Sequence, residues 1–117
     1  MTERTLYDSS GVPIAYIVND GSIYLWTGEA TTYLDGERLY GWNGKHLGVF
    51  RDGILYDLRG IRVGFEGRRC PAVLHVQPVK HVKHVKHVRS VKHVAHVSPV
   101  LSLSHRSGLR ELLVSGR

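Results

Sequence analysis

One short unit, written four times, constrains this chain more than anything else in it. The tracts LYDSSG, IYLWTG, LYGWNG and LYDLRG each open on an aliphatic residue and a tyrosine: Leu6-Tyr7, Ile23-Tyr24, Leu39-Tyr40 and Leu55-Tyr56. Each reaches a glycine four residues after the tyrosine (Gly11, Gly28, Gly44, Gly60), so the units follow at spacings of 17, 16 and 16 residues. Four positions further on stands a small residue (Ala15, Thr32, Gly48, Gly64), then a bulky one (Tyr16, Tyr33, Val49, Phe65). A second glycine (Gly21, Gly36, Gly53, Gly67) closes each unit. Self-similarity at a fixed period means a repeated supersecondary unit that cannot bury its apolar face alone.

The unit predicts a β-hairpin. Its tyrosine-bearing tract suits a pleated, half-buried surface, and its glycine supplies the positive φ of a tight turn. Asn43-Gly44 within a unit, and Asp20-Gly21, Asp35-Gly36 and Asp52-Gly53 between units, are dipeptides favoured at hairpin turns. Pro13 fits only a strand start or edge. A lone hairpin does not hold in water, so the four must share a core. Arraying them around an axis leaves few open edges and is expected to bring the aliphatic and tyrosine columns together near the centre. A domain of about 60 residues is marginal, so support from the rest of the chain or from oligomerisation is expected.

The tracts YDSSGVPIAYI, DGSIYLW, YLDGERLYGWNGKHLGVF and IRVGF resemble the bacterial 4-fold β-flower proteins, a family of four petal-like hairpins followed by a Lys- and Val-rich triplet tail. The resemblance covers nearly all of residues 6–65 and, more loosely, the tail. Two departures are the EATTY of the second petal, where the family pattern implies Pro-Val-Ala-Tyr, and the heavy use of histidine in the tail. The resemblance implies the fold, and no catalytic residue or cofactor is carried over with it. The expected fold class is therefore all-β: four pseudo-equivalent hairpins around a central axis over residues 1–67, a linker at 68–72, an extended period-three tail over 73–103, and a segment at 104–117 with a short helical turn.

Composition divides at the same boundary. All ten aromatic residues lie at or before Phe65, and residues 1–66 carry six Lys/Arg against nine Asp/Glu, whereas residues 67–117 carry ten against one. Cys70 is the only cysteine, which excludes an intrachain disulfide and a four-sulfur metal site. The N-terminus has neither a basic n-region nor an apolar h-region, and no run is long enough to span a bilayer, so a cytoplasmic location is expected.

In the tail, valine recurs at every third position from Val73 to Val100, ten times without a miss, and Leu103 takes the next slot. The residues after each valine form a largely cationic column with Gln77, Lys80, Lys83, Lys86, Arg89, Lys92, Ala95 and Ser98; those before each valine include six histidines. In an α-helix, steps of three walk the valines round the cylinder; in a plain strand they alternate faces. A threefold screw collects them into one stripe, and polyproline II is the form that persists over such a length. Pro71, Pro78 and Pro99 suit it.

A long apolar stripe calls for a cover. Either it packs on the hairpin head or on other copies of the tail, or the segment is a disordered low-complexity repeat. The candidate interaction residues are Val76, Val79, Val82, Val85, Val88, Val91, Val94 and Val97, and the expected function is that of a non-enzymatic, self-associating scaffold whose partner is a second copy. The alternative is non-specific binding of nucleic acid or an anionic membrane surface through Lys80, Lys83, Lys86, Arg89 and Lys92. Against it stands the lack of any aromatic residue in the tail to stack on bases.

Histidines one full turn apart on a polyproline II rod cannot share a zinc, though several rods side by side can, and a response to pH is the other reading of that column. No catalytic constellation, cofactor motif or small-molecule site is legible. His46 is expected on a strand surface, and Leu109, Leu112 and Leu113 predict a short amphipathic helical turn that either pins the tail's end or frays.

Overall fold

A computed structural model describes residues 3–77, 80, 83, 89, 92, 95 and 100–117. The four repeats form four antiparallel hairpins: β1 (Arg4–Tyr7) with β2 (Pro13–Ile17), β3 (Ser22–Leu25) with β4 (Ala30–Asp35), β5 (Arg38–Gly41) with β6 (His46–Arg51), and β7 (Ile54–Asp57) with β8 (Arg62–Phe65). Successive hairpins pair edge to edge, and β8 returns to β1 to close an eight-stranded barrel. Closure abolishes the free edges that four short hairpins would otherwise present.

The hairpins share one register. The aliphatic residue opposes the small one in all four, as Leu6 with Ala15, Ile23 with Thr32, Leu39 with Gly48 and Leu55 with Gly64. Immediately after that pair every hairpin carries a β-bulge, which leaves Ile14, Thr31, Leu47 and Val63 as the extra residues. A bulge breaks the inward–outward alternation and sharpens the local twist. Here it buries two consecutive residues, such as Ile14 and Ala15 or Val63 and Gly64, and the second is held small by what it faces: a Cβ at Gly48 would stand 2.2 Å from the Tyr56 carbonyl oxygen and one at Gly64 2.9 Å from Leu109 Cδ1. The turns repeat as closely. In each, the residue after the tyrosine (Asp8, Leu25, Gly41, Asp57) donates its amide to the carbonyl four residues on and accepts from the glycine amide at 2.9–3.0 Å.

The aliphatic columns fill the barrel, with Leu6, Ile23, Leu39 and Leu55 fully buried beside Ile14, Leu47 and Val63. The tyrosines do not join them, contrary to the expectation that both columns meet at the centre. Adjacent residues of a strand face opposite sides, so Tyr7, Tyr24, Tyr40 and Tyr56 lie on the outer face, the last three in aromatic clusters of their own. His46 also departs from expectation. It is buried rather than on the strand surface, its Nε2 3.0 Å from the carbonyl of Gly48 and its ring against Tyr40.

The C-terminal leucines form a helix, α1 (Leu109–Val114), that does not fray. Leu109 and Leu113 enter the same aliphatic core as the barrel. The chain end is then held at the third hairpin, where the Gly116 carbonyl accepts from the Asn43 amide at 3.0 Å and the Ser115 carbonyl from Asn43 Nδ2 at 2.9 Å. In the second hairpin, where the other three have apolar residues, the Thr31 and Thr32 hydroxyls are buried with no hydrogen-bond partner among the described residues. A buried unpaired hydroxyl costs free energy that an isosteric methyl does not. Thr31→Val is therefore expected to raise stability by about 1 kcal/mol, read as a higher urea midpoint at unchanged m-value.

Candidate functional site

The outward tyrosines make the most distinctive surface of the head. At each junction between hairpins, the bulky column of one unit pairs with the tyrosine of the next, as Tyr16 with Tyr24 and Tyr33 with Tyr40. Two residues further along the same face stand Trp26 and Trp42. Each of these two junctions thus carries three rings in one arrangement. Tyr16 stacks on Tyr24 at 5.7 Å and meets Trp26 edge-on at 5.4 Å; Tyr33 stacks on Tyr40 at 5.9 Å and meets Trp42 edge-on at 5.6 Å. At the other two junctions the corresponding residues are Val49, Tyr56 and Leu58, and Phe65, Tyr7 and Ser9, so a complete Tyr-Tyr-Trp cup exists twice.

Both cups hold cations of the tail. Lys80 Nζ lies 4.3 Å from the centre of the Tyr16 ring and 5.4 Å from Trp26, with Lys83 over Tyr24 at 5.4 Å. Arg89 Cζ lies 3.9 Å from Tyr33 and 4.8 Å from Trp42, with Lys92 over Tyr40 at 5.3 Å. A cation over an aromatic face is attracted by the ring quadrupole, by roughly 0.5–1 kcal/mol when exposed and more when desolvated.

A carboxylate completes each site: Glu3 accepts from Lys80 at 2.5 Å and Lys83 at 2.9 Å, and Asp35 pairs with Lys92. The hydrogen bond from Lys80, then that from Lys83, hold the Glu3 carboxyl below the usual range, and Lys92 does the same to Asp35. The two lysines Lys83 and Lys92 are raised in return by the same hydrogen bonds. Burial pushes the Tyr16 hydroxyl up, so the ring stays neutral.

The contacts advance in steps of nine. Lys80 and Arg89 take equivalent places in successive cups, and Lys83 and Lys92 do likewise. The same step links the aliphatic junctions, since Leu74 lies beside Gly67 close to Tyr7 while Leu101 packs with Ile54, Tyr56 and Phe65. Leu74, Lys83, Lys92 and Leu101 are thus one series, apolar where the junction lacks a tryptophan and cationic where it has one.

Backbone contacts keep the same phase. The His75 amide donates to the Gly11 carbonyl and the Ser102 amide to that of Gly60, both at 2.9 Å, 27 tail residues apart. These turn glycines have φ of +83° and +81°, and a Cβ on either would stand 2.1 Å from a tail carbonyl, that of Val73 or Val100. Beyond Gly60 the tail stays attached: the Arg62 amide donates to the Ser104 carbonyl, the Arg106 amide donates to the Arg62 carbonyl, and the Arg106 guanidinium reaches Asp57 at 3.0 Å. Burial alone would raise the Asp57 pKa, but the Ile61 amide, Arg106 and the Arg59 amide outweigh it and hold the carboxyl low.

Of the cations named for polyanion binding, Lys80, Lys83, Arg89 and Lys92 lie over rings of the head, while Lys86 lies outside the described residues. Of the valine stripe, Val76 is 93 % exposed, as are Val73 (88 %) and Val100 (92 %); Val79, Val82, Val85, Val88, Val91, Val94 and Val97 lie outside the described residues. Of the histidine column only His75 is described, and among the described residues no group of three or more His, Cys, Asp or Glu is placed to hold a metal. The cup residues Tyr16, Tyr24, Trp26, Tyr33, Tyr40 and Trp42, with Glu3 and Asp35, were not singled out from sequence. The signal lay in Trp26 and Trp42 standing at one repeat position in two units only.

A closed, fourfold, all-β flower of hairpins with its own C-terminal segment laid against its petals defines the class. The chain belongs to the 4-fold β-flower proteins: the family model, described as 4-fold beta flower protein, matches residues 4–111 and so includes the tail and part of α1. Comparison with curated proteins and with solved structures gives no match. No helix among the described residues is long and apolar enough to cross a membrane.

Gly60→Ala places a side chain in the left-handed region and against the Val100 carbonyl, so it is expected to cost about 1–3 kcal/mol and to speed proteolytic cleavage between residues 70 and 105. The depressed carboxyls of Glu3, Asp35 and Asp57 contribute stability that is present above the ordinary carboxylate range and lost as pH falls through their lowered folded values. Tail protection from protease is accordingly expected to hold at pH 7 and to weaken below about pH 4.

Proposed function

We propose that this protein is a non-enzymatic scaffold that self-associates through the valine column of its tail, which includes Val76 and the positions from Val79 to Val97. The observation that supports this most is where the exposed apolar surface lies. Every large apolar residue exposed among the described ones, Val73, Leu74, Val76, Val100 and Leu103, belongs to the tail and none to the hairpins. A tail that only needed solubility would put its cations outward and its valines against the head; the described positions have the opposite orientation. An apolar line of this kind favours a partner. A second copy fits best, because it carries valine at the same three-residue spacing and so matches the line along its whole length, as an isologous contact requires.

The alternative, polyanion binding, is less well supported because Lys80, Lys83, Arg89 and Lys92 are occupied by rings and carboxylates. Light scattering on the full chain and on Val76→Asn/Val100→Asn/Leu103→Asn separates the two. Self-association predicts a mass at least twice the 13.2 kDa of one chain that falls toward one chain in the triple variant. A wild-type chain monomeric at high concentration, with steeply salt-dependent retention on heparin, would favour the polyanion reading instead.

A further inference from the structure

The cups have the composition of recognition sites, and their occupant here is the chain's own tail. We propose that the Tyr16-Tyr24-Trp26 and Tyr33-Tyr40-Trp42 cups are exchangeable binding sites for an extended basic peptide that presents Lys or Arg at positions i and i+3, with the tail acting as a built-in competitor. Each cup offers three ring faces and one carboxylate, and takes two cations three residues apart: Lys80 with Lys83, and Arg89 with Lys92. In an extended threefold chain that spacing is one turn, about 9.3 Å, which lets one cation cover the Tyr–Trp pair and the next the second tyrosine.

Three features make the occupant exchangeable. The same cup geometry accepts ammonium and guanidinium alike, since Lys80 and Arg89 hold equivalent places, so the recognition is of charge and spacing rather than of one side chain. The tail's hold is divided into separate contacts at each hairpin, so one cup can empty while Gly11 and Gly60 keep their backbone bonds. The outer cation of each pair is itself half in solvent, Lys83 by 43 % and Lys92 by 46 % of its side chain, so it can leave its ring for water with the head still folded, and the buried ring face is then open to an incoming cation. This inference does not rest on the valine stripe: valine variants leave the cups intact, and cup variants leave the valines intact.

The two tryptophans of the chain stand one in each cup, so intrinsic fluorescence reports the sites directly. The probe is a synthetic peptide of residues 79–97, titrated into the full chain and into Lys80→Ala/Lys83→Ala/Arg89→Ala/Lys92→Ala. Freed cups are expected to bind the peptide at least tenfold more tightly than the wild type, and a peptide of equal charge with its cations at i and i+2 is expected to bind at least fivefold more weakly. Equal affinity of wild type and variant overturns the proposal, and so does indifference to spacing, which would mark general attraction to an acidic head. Should the quadruple variant not fold, Lys80→Ala/Lys83→Ala empties one cup alone, and the same two outcomes apply to it.

Discussion

One extra residue in each hairpin sets the rest of the molecule. Without a bulge after Leu6, Ile23, Leu39 and Leu55, each hairpin would place alternate residues inward and form a ribbon too flat for strands of four to six residues to close. With it, two consecutive residues enter the barrel, the second is confined to Ala, Thr or Gly, and the strand turns sharply enough for β8 to meet β1. The neighbouring tyrosine, on the unbulged strand, goes outside by ordinary alternation. The bulge on one strand and the alternation on its partner together set an aliphatic interior and an aromatic exterior.

Closure by these means is thin at the seam between first and last strands, since among the described residues β1 and β8 share a single pair, Tyr7 with Phe65. The segment after β8 reinforces that seam. Gln77 Nε2 donates to Thr5 Oγ1 and to the Tyr7 hydroxyl, and His75 binds the first turn, so the tail's opening residues cross from the last hairpin onto the first. At its far end the tail delivers α1 into the core. Three junctions separate the two anchoring glycines, so nine residues of tail serve for every 16 or 17 of head.

Much of this was legible. The hairpins and their turns followed from the glycine columns, and the Asp8 and Asp57 side chains reinforce two turns by accepting from amides two and four residues on. The bulge was not legible, because a column of small residues announces a tight fit without saying what it fits against. The outward tyrosines were legible from strict alternation after each aliphatic residue, but bulk and aromaticity suggested a core; what buries them is a segment that a hairpin-by-hairpin reading leaves out. His46 was misplaced for the same reason, since the residue it packs on, Tyr40, was itself assigned to the wrong side. In the tail the period of three was plain, while the period of nine lay in the residues that face the head, where Leu74 and Leu101 bracket the cations at the spacing of the junctions that lack tryptophan.

The tail therefore inverts the usual logic of an amphipathic segment. Its charges are the adhesive and its described valines the free edge, because the head it meets offers rings and carboxylates rather than a greasy groove. Cation–ring contacts and half-exposed ion pairs are individually weak and screened by salt, so a tail held by them is retained through repetition, with backbone bonds at Gly11 and Gly60 setting the phase. Weak contacts in a fixed register have a second property: each can be released at the cost of uncovering its own rings, while the aliphatic barrel behind the cups stays closed. A head so built can keep its fold while its outer belt is loosened.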